Sequence, residues 1–266
     1  MPEIPEIACR ASELDAVLRG KTIQSVEILQ PKCLNSSPED FVSSLTGAKI
    51  TGVNYHGKWI QIQTVQGLLL INMGMGGEIL FVDRNSLPEK HRVIFDFSDD
   101  SCLSINFWWF GYVHYSPSLE MHAPTAKLGP NVLSVSREEF RQLAAGQRVG
   151  VKTFLLDQSR IAGIGNAYIH DILFLAKIHP QRRLDSLSLH ELDRLYQGIQ
   201  DGLRPSLAKG GAFYEVNIFG QKGGFSMDDI LVGYREGQPC PTCKTPIVKI
   251  KTGSTSSFIC PTCQTL

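Results

Sequence analysis

The sequence lacks the features of membrane and secreted proteins. Within its 266 residues no apolar run approaches the roughly 18–20 residues that a membrane-spanning helix requires. The N-terminal segment MPEIPEIACR carries acidic residues where a signal peptide carries basic ones, and no apolar stretch follows it. The cysteine count, seven, is odd, which argues against a disulfide framework. We therefore expect a soluble intracellular protein that has no membrane partner.

The chain also lacks net charge, because 26 basic side chains balance 26 acidic ones. Overall charge therefore gives no indication of nucleic-acid binding, which depends instead on local basic patches. One such patch is predicted in the segment 240–266, where Lys244, Lys249 and Lys251 occur without any Asp or Glu. Internal repeats and low-complexity tracts are missing too, which excludes a repeat architecture.

Hydrophobic periodicity changes along the chain. Residues 3–18 carry apolar side chains at helical spacing and are followed by Gly20, which predicts a helix. Short β-branched segments between residues 21 and 116 predict an antiparallel sandwich or barrel. A linker at 117–135 and helical segments follow, and we expect a mobile, glycine-rich loop at 208–233. The predicted domains are 1–120, 121–233 and 234–266.

Two capping-box pairs mark the helical region. Ser136 precedes Glu139, and Ser188 precedes Glu191, at the spacing that satisfies the first backbone N–H groups of a helix. Leucines at helical spacing follow Ser188 and form an apolar stripe. Both pairs therefore predict the start of a helix.

Four of the seven cysteines form two CxxC pairs, and 16 residues separate the pairs. Each Cys-Pro-Thr-Cys turn can present two thiolates to one tetrahedral ion, which is typical of a structural zinc site. Because sulfur fills all four positions, no position remains for a catalytic water, and the one predicted Zn²⁺ is structural. Two unrelated redox pairs are the alternative. The predicted ligands are Cys240, Cys243, Cys260 and Cys263.

A glycine-rich turn, Gly163-Ile164-Gly165-Asn166, joins two segments with helical character. The backbone N–H groups of such a turn suit a phosphate group, and the Asn166 side chain adds another donor. An ordinary helix–helix turn would explain the same pattern, so the motif alone leaves both interpretations open.

The sequence begins Met-Pro-Glu-Ile-Pro-Glu, and its small second residue permits removal of Met1. Removal would leave a secondary amine on Pro2 with the Glu3 carboxylate beside it. Such an amine can attack a sugar C1′ atom and form an iminium, and an adjacent carboxylate can transfer protons. Most chains that begin Met-Pro do not use the proline in this way, so the segment alone does not identify a nucleophile.

Several motifs occur together, in a characteristic order, from residue 2 to residue 264. In this order and at this spacing they resemble the formamidopyrimidine-DNA glycosylase/endonuclease VIII family, and the resemblance covers nearly the whole chain. The motifs are PEIPE at 2–6, GKW at 57–59, GMGG at 74–77, FG at 110–111, LGP at 128–130, LLDQ at 155–158, AGIGNAY at 162–168, IHP at 178–180 and the four-cysteine finger.

The resemblance implies an α+β multidomain fold: an N-terminal helix on an antiparallel β-sandwich, a helix–two-turn–helix domain and a C-terminal four-cysteine zinc finger. It implies a DNA-repair glycosylase with abasic-site lyase activity, which acts as a monomer on damaged double-stranded DNA in the bacterial cytoplasm, associated with the nucleoid. The damaged base would leave through an N-terminal proline iminium, and elimination would then cleave the strand. This chemistry requires no cofactor; the zinc is structural.

The resemblance also implies roles for the catalytic residues. Pro2 would attack C1′, Glu3 would act in base release and in the later proton transfers, and Glu6 would support the site from one helical turn away. Lys58 would bind phosphate or assist near the sugar.

Further residues would contact DNA. Gly163, Gly165 and Asn166 would hold the phosphates that flank the lesion. The lesion must leave the base stack, and Met75 would fill the resulting gap with an apolar side chain.

The chain departs from the family pattern at 106–111, where members commonly have Asp-x-Arg-Arg-Phe-Gly and this sequence has Asn-Phe-Trp-Trp-Phe-Gly. The second arginine typically reads the base opposite the lesion, and Trp109 stands in its place. Trp109 can stack on a base but cannot form the paired hydrogen bonds of arginine. We therefore expect no strict preference for an opposite cytosine, while Phe110 keeps its position as a wedge.

A second departure lies in the finger. Thr255, five residues before Cys260, stands at the position of the family's phosphate-binding arginine. We expect the Thr255 hydroxyl to contact phosphate and Lys249 and Lys251 on the preceding strand to supply the charge.

Two further departures concern the segments around the predicted site. Asp171, next to His170, stands where members often have Glu, and the sequence assigns no role to it. The glycine-rich loop at 209–225 does not match the loop that caps oxidised purines in the formamidopyrimidine branch. The identity of the excised lesion therefore stays open.

Two other functions compete with the enzyme hypothesis. A structure-specific DNA-binding relative with weak or lost lyase activity would account for the missing arginines. A zinc-ribbon interaction module on a non-enzymatic scaffold would account for the finger but not for the N-terminal motif. Retention of Met1 would separate these hypotheses, because an amide nitrogen on Pro2 cannot form an iminium.

Overall fold

The computed structural model describes residues Met1–Leu266, which form two compact units. The first comprises Met1–Lys127 and Lys209–Gly224, and the second comprises Leu128–Ala208 and Phe225–Leu266. The three predicted domains were divided by changes in residue pattern along the sequence, whereas these two units are divided by which residues contact one another in the structure. None of the helices combines the length and the apolar character that crossing a bilayer requires.

The first unit contains two antiparallel four-stranded sheets and a long N-terminal helix. One sheet has the strand order β1-β6-β7-β5, and the other has the order β2-β3-β4-β8. The helices are α1 (Ile4–Leu18), α2 (Pro38–Leu45) and α3 (Ala123–Ala126). The strands are β1 (Ile23–Ile28), β2 (Ile50–His56), β3 (Trp59–Thr64), β4 (Gly67–Asn72), β5 (Glu78–Asp83), β6 (Val93–Phe97), β7 (Ser101–Asn106) and β8 (Tyr112–Ser116).

Helix α1 belongs to the core of this unit. Its apolar side chains at helical spacing, Ile7, Leu14 and Leu18 among them, are at most 1% exposed and pack with side chains from both sheets. Pro5 lies in the first turn, where its missing N–H would have no helical partner. The predicted helix on an antiparallel β-sandwich is confirmed, and this packing fixes the first turn of α1.

The second unit contains four helices and a C-terminal hairpin. They are α4 (Arg137–Ala144), α5 (Val151–Leu156), α6 (Ile169–Leu175), α7 (Leu189–Ala208) and the strands β9 (Val248–Thr252) and β10 (Thr255–Ile259). Both predicted capping boxes are present. The Ser136 Oγ accepts a hydrogen bond from Glu139 N (3.2 Å), and the Ser188 Oγ accepts one from Glu191 N (3.3 Å).

The glycine-rich segment differs from the expectation of a mobile loop over 208–233. Residues Lys209–Gly224 form an internally hydrogen-bonded turn, in which Gly223 N donates to Glu215 O (3.0 Å) and Gly224 N donates to Lys209 O (2.8 Å). A Cβ atom on Gly223 would lie 2.2 Å from Gly211 O, so glycine at this position permits a close approach of the backbone. Close packing, and not mobility, therefore explains Gly223.

Candidate active site

Three of the four residues predicted to perform catalysis lie at the N-terminal end of α1, where Pro2 and Glu3 precede the helix and Glu6 is in its first turn. Pro2, Glu3 and Glu6 are all buried, with Glu3 3% and Glu6 2% exposed. The Glu6 carboxylate accepts hydrogen bonds from Glu3 N (2.9 Å) and from Ala212 N (3.0 Å). Glu6 therefore orients the segment that carries Pro2 and Glu3, which fits the supporting role expected of it. With Met1 attached, the Pro2 nitrogen is an amide, so an amine at Pro2 requires removal of Met1.

Helix α1 also holds the glycine-rich segment. The Arg10 side chain is 1% exposed and donates to both carboxylate oxygens of Glu13 (2.6 and 2.7 Å) and to Gly210 O (3.0 Å). Glu13 in turn accepts a hydrogen bond from Ile218 N (3.2 Å). One helix thus presents the N-terminus and anchors the segment Lys209–Gly224, which carries Glu215 near Met1.

Glu215 is a buried carboxyl group that the sequence analysis did not single out. It is 8% exposed, and its Oε1 lies 3.9 Å from the Met1 amine. Burial raises the pKa of Glu215 to about 7. Of the neighbouring charges, the N-terminal amine and Arg10 lower this pKa, whereas the Glu6 and Glu3 carboxylates raise it further. In the sequence, Glu215 is marked only by being an acidic residue in a segment rich in glycine and aromatic residues.

Lys58 lies in the turn between β2 and β3. Its backbone carbonyl accepts a hydrogen bond from the Asn72 side chain (3.2 Å), while its partly exposed ammonium group forms no ion pair within the chain. A fixed backbone with an unpaired ammonium group suits the predicted contact with phosphate.

Three large apolar side chains predicted to contact DNA project into solvent. Met75, Trp109 and Phe110 are 46%, 65% and 69% exposed. Met75 N donates to Trp109 O (2.8 Å), and a Cβ atom on Gly74 would lie 2.3 Å from that same oxygen. The two loops are therefore held side by side, and their exposed side chains can act as wedges between bases. Phe110 adopts a positive φ of 56°, a strained conformation of the kind that clusters at functional sites.

The glycine-rich turn of the second unit is organised by Gln158. Its side chain accepts a hydrogen bond from Gly163 N (2.9 Å) and donates to Ile164 O (2.9 Å). Asn166 follows, and its buried Oδ1 has no hydrogen-bond partner. The Gln158 contacts fit both interpretations, an ordinary helix–helix turn and a turn whose backbone N–H groups hold a phosphate.

The four predicted zinc ligands lie together. Their sulfur atoms are all within 4.8 Å of one another, with Cys243 Sγ 3.4 Å from Cys260 Sγ and Cys240 Sγ 3.9 Å from Cys263 Sγ. A tetrahedral ion with Zn–S bonds of about 2.3 Å would separate its sulfur ligands by about 3.8 Å. The site therefore fits one structural Zn²⁺, which would join the two CxxC turns and take no part in chemistry.

The hairpin β9–β10 carries the finger residues predicted to contact DNA. Lys249 and Lys251 are exposed, and Lys249 Nζ lies 5.8 Å from the centre of the Phe258 ring. The Thr255 hydroxyl, however, accepts a hydrogen bond from Lys152 Nζ (3.0 Å). A lysine from α5 therefore brings charge to the hairpin, in addition to the two lysines expected there.

Lys152 is buried, and all the hydrogen bonds of its ammonium group are to the hairpin. Its ammonium group donates to Ser256 O (2.6 Å), Ser257 Oγ (2.9 Å) and Thr252 Oγ1 (3.1 Å), and no carboxylate pairs with it. Burial lowers the pKa of Lys152 to about 8. It lines a cavity of about 530 Å³ with Gly253, Ser254 and Thr255. In the sequence, Lys152 is marked only by its position in the otherwise apolar segment VKTFLL.

Asp171 has a structural role. Its carboxylate accepts hydrogen bonds from the backbone N–H groups of Leu231 (2.8 Å), Val232 (2.9 Å) and Gly233 (2.9 Å). Burial raises the pKa of Asp171, and these three donors act in the opposite direction. The neighbouring His170 accepts from Phe258 N (3.4 Å), and burial lowers the pKa of His170 to about 3, so it stays neutral.

Comparison with known proteins agrees with this arrangement. Residues 1–106 match the model of the formamidopyrimidine-DNA glycosylase N-terminal domain, residues 128–217 match its H2TH domain, and residues 237–266 match the zinc finger found in FPG and IleRS. The formamidopyrimidine-DNA glycosylase of Listeria innocua is 32% identical over 272 residues, with 99% of this chain and 100% of the relative covered. The chain belongs to the formamidopyrimidine-DNA glycosylase family.

Other members of the formamidopyrimidine-DNA glycosylase family show the same extent of similarity. The enzyme of Pelotomaculum thermopropionicum is 34% identical, and 99% of each chain is covered. Among solved structures, Lactococcus lactis Fpg in complex with DNA containing an abasic site matches with a TM-score of 0.90 and 26% identity, over 99% of this chain and 100% of that one. MutM in complex with DNA containing carbocyclic 8-oxo-G matches with a TM-score of 0.90 at 26% identity. The chain therefore has the family's fold from end to end.

Proposed function

We propose that this chain is a DNA-repair glycosylase with abasic-site lyase activity that acts as a monomer on damaged double-stranded DNA. The observation that carries this proposal is the N-terminal end of α1, where Pro2 and Glu3 are buried and the Glu6 carboxylate accepts a hydrogen bond from Glu3 N. The relatives that cover the whole chain are named as formamidopyrimidine-DNA glycosylases, which supports the same activity.

The proposed reaction begins after removal of Met1. The lone pair of the Pro2 nitrogen attacks C1′ of the damaged nucleoside, and the bond between C1′ and the base breaks with its electron pair leaving on the base. The departing base takes a proton, and the Pro2 nitrogen gives up its own. The C1′–O4′ bond then breaks as O4′ takes a proton, which opens the sugar ring and leaves an iminium between Pro2 and C1′. Loss of a proton from C2′ then expels the 3′ phosphate and cleaves the strand. Glu3, beside Pro2, is the group proposed to transfer these protons.

Other residues are proposed to hold DNA. Lys58 forms no ion pair within the chain, and its ammonium group is proposed to bind a phosphate. The side-chain amide N–H of Asn166 is proposed to donate to a phosphate beside the backbone of Gly163 and Gly165. Met75, Trp109 and Phe110 are proposed to fill the gap left by the extruded base. Lys249, Lys251 and Thr255 are proposed to contact phosphate on the finger.

Two observations favour a second candidate, a structure-specific DNA-binding protein with weak lyase activity. Trp109 cannot read a base as an arginine does, and the Thr255 hydroxyl already accepts a hydrogen bond from Lys152. Both substitutions concern DNA contacts, whereas the nucleophile and its carboxylates are intact. The two candidates therefore differ in whether a covalent intermediate forms.

Borohydride trapping tests the proposal. The purified chain, with its first residue identified by mass spectrometry, is mixed with duplex DNA containing one abasic site, and borohydride then reduces any iminium to a stable amine. The chain that begins at Pro2 should form a covalent complex with DNA. The matched control is the same chain with Met1 retained, which has every side chain in place but an amide at Pro2, and it should form none.

The two outcomes have distinct meanings. Trapping that requires a free Pro2 amine, and that weakens in Pro2→Gly, identifies the nucleophile. Absence of trapping with Pro2 free, in a chain that still binds the DNA, would overturn the lyase proposal in favour of the DNA-binding candidate.

A further inference from the structure

A cavity of about 380 Å³ adjoins the N-terminus in the first unit. Its volume falls within the roughly 300–1,000 Å³ of ligand sites. Met1, Trp108 and Glu215 line it, together with glycines at 76 and 77 that leave it open. The cavity thus combines an aromatic ring, a buried carboxyl group and the end of the chain that carries the proposed nucleophile.

This cavity lies where an extruded base would be placed by the proposed reaction. The reacting C1′ atom must come within bonding distance of the Pro2 nitrogen, and the base is attached directly to C1′. An extruded base must therefore lie within about one ring width of the N-terminus. Met1 precedes Pro2 and lines this cavity, so its removal also clears space there.

Trp108 offers a stacking surface in the cavity. A Cβ atom on Gly76 would lie 2.7 Å from the Trp108 ring, so the indole rests directly against the glycine backbone. Trp108 N also donates to Met75 O (2.9 Å), which fixes the residue's backbone. The side chain is nevertheless 70% exposed, and an exposed, positioned indole can stack on a planar base.

Glu215 offers the cavity's buried carboxyl group. The residue is 8% exposed, and its backbone is held on both sides, since Glu215 N donates to Ala212 O (2.9 Å) and its carbonyl accepts from Gly223 N (3.0 Å). The nearest charge of opposite sign is the amine of Met1, at 3.9 Å, which the chain that begins at Pro2 lacks. No side chain donates a hydrogen bond to this carboxylate, so its oxygens are available to a ligand in the cavity.

We infer that Trp108 and Glu215 form the base-recognition site of this chain, with the base stacked on the indole and its N–H donors bound by the Glu215 carboxylate. This inference rests on the function proposed above. A carboxylate accepts two hydrogen bonds side by side, so it favours a base edge with two adjacent N–H donors, as in a guanine-type edge. It disfavours a uracil-type edge, in which a single N–H lies between two carbonyl oxygens.

Replacement of Glu215 by Gln provides a sharp test, because the amide has one acceptor and one donor. The amide side chain would lose one of the two hydrogen bonds to a guanine-type edge, yet it would pair with both groups of a uracil-type edge. We measure single-turnover excision of 8-oxoguanine and of 5-hydroxyuracil from otherwise identical duplexes. Their rate ratio should fall roughly tenfold to a hundredfold in Glu215→Gln. Glu89→Gln, the same change at an exposed carboxylate, should leave the ratio unaltered.

The pH dependence of this ratio adds a second readout. Burial raises the pKa of Glu215 well above the ordinary value of a carboxyl group, so Glu215 gains its charge as pH rises through the neutral range. The 8-oxoguanine to 5-hydroxyuracil ratio should therefore rise with pH more steeply in the native chain than in Glu215→Gln. The groups around Glu215 are the N-terminal amine, Glu3, Glu6 and Arg10, and Glu78 lines the same cavity. Because the lesions and all other groups are the same in both chains, the difference between the native chain and Glu215→Gln isolates the contribution of Glu215.

Trapping on abasic DNA separates the two proposals, because an abasic site has no base to recognise. If the native chain fails to trap abasic DNA, the proposed function fails. If it traps abasic DNA while Glu215→Gln leaves the ratio unchanged at every pH, or lowers both rates equally, the base-recognition site is overturned. Trp108→Ala should lower excision of both lesions relative to trapping, and Trp108→Phe, which keeps an aromatic ring, should restore it.

Discussion

At the scale of single residues, the charge at the finger hairpin includes a buried lysine from outside the finger. Lys152 is the clearest case, since its buried ammonium group contacts the hairpin β9–β10 at four oxygens and has no carboxylate partner. A buried cation without a counter-ion is unfavourable unless a ligand supplies the negative charge. DNA phosphate at the hairpin would do so, which offers a physical reason why Thr255 can replace an arginine.

Lys152→Met tests this role. The change removes one positive charge near the hairpin, so affinity for DNA containing a stable abasic-site analogue should fall, and the slope of log K against log salt should flatten by about 0.9. Fluorescence anisotropy titrations at several salt concentrations measure both. Lys90→Met, at an exposed site, serves as the control for net charge. An unchanged slope would show that Lys152 only holds the hairpin.

The pKa of Lys152 predicts whether the affinity for DNA rises or falls with pH. Its value of about 8 lies below the ordinary value of a lysine, so the charge is present at neutral pH and is lost as pH rises through this range. DNA affinity of the native chain should therefore weaken from about pH 7 to pH 9 by more than that of Lys152→Met. The comparison of the two chains removes every contribution that they share.

Among elements, α1 connects the N-terminus with the glycine-rich segment. Glu6 binds Ala212 N, and Glu13 binds both Arg10 and Ile218 N. The helix itself was predictable, because a stripe of apolar side chains requires only local periodicity. The ordered conformation of the segment Lys209–Gly224 was not predictable, because its hydrogen bonds to α1 join residues 200 or more positions apart in sequence. The glycines of the segment, taken alone, indicated a mobile loop.

Glu13→Ala tests this anchoring. Without the carboxylate, Arg10 loses its charged partner and Ile218 N loses its acceptor, so the segment Lys209–Gly224 should open more often. The loss of such hydrogen bonds destabilises the closed segment by about 1–3 kcal/mol. Hydrogen exchange with mass spectrometry should show faster exchange in peptides from this segment than in the native chain. Equal exchange rates would mean that other contacts suffice to hold the segment; Glu89→Ala is the matched surface control.

At the scale of the whole molecule, sequence motifs predicted the fold because each has a local physical cause. The CxxC pairs predicted the four-sulfur cluster, and the capping boxes predicted the starts of α4 and α7. Glu215 and Lys152 were missed for the opposite reason. Their significance depends on burial and on partners distant in sequence, and neither property is visible in a short motif.

Zinc removal tests how far the finger depends on its metal. The apolar cluster around the cysteines is small, comprising Phe174, Val232, Cys240, Ile247, Phe258 and Cys260, so metal bonds must supply much of the stability of the finger. Chelation should release one zinc per chain, unfold the hairpin and separate Lys249, Lys251 and Thr255 from Lys152. We expect DNA affinity to fall at least about tenfold, since several phosphate contacts are lost together.

The N-terminal unit should respond differently to zinc removal. Its core consists of α1 and the two sheets and contains none of the four zinc ligands, so its near-ultraviolet circular dichroism should persist after chelation. Trapping at DNA concentrations high enough to restore binding should then recover, because Pro2, Glu3 and Glu6 keep their positions. Cys243→Ser, which removes one ligand, should reproduce the loss of affinity without a chelator. Persistent loss of trapping at saturating DNA would instead mean that the finger acts in the chemical step as well as in binding.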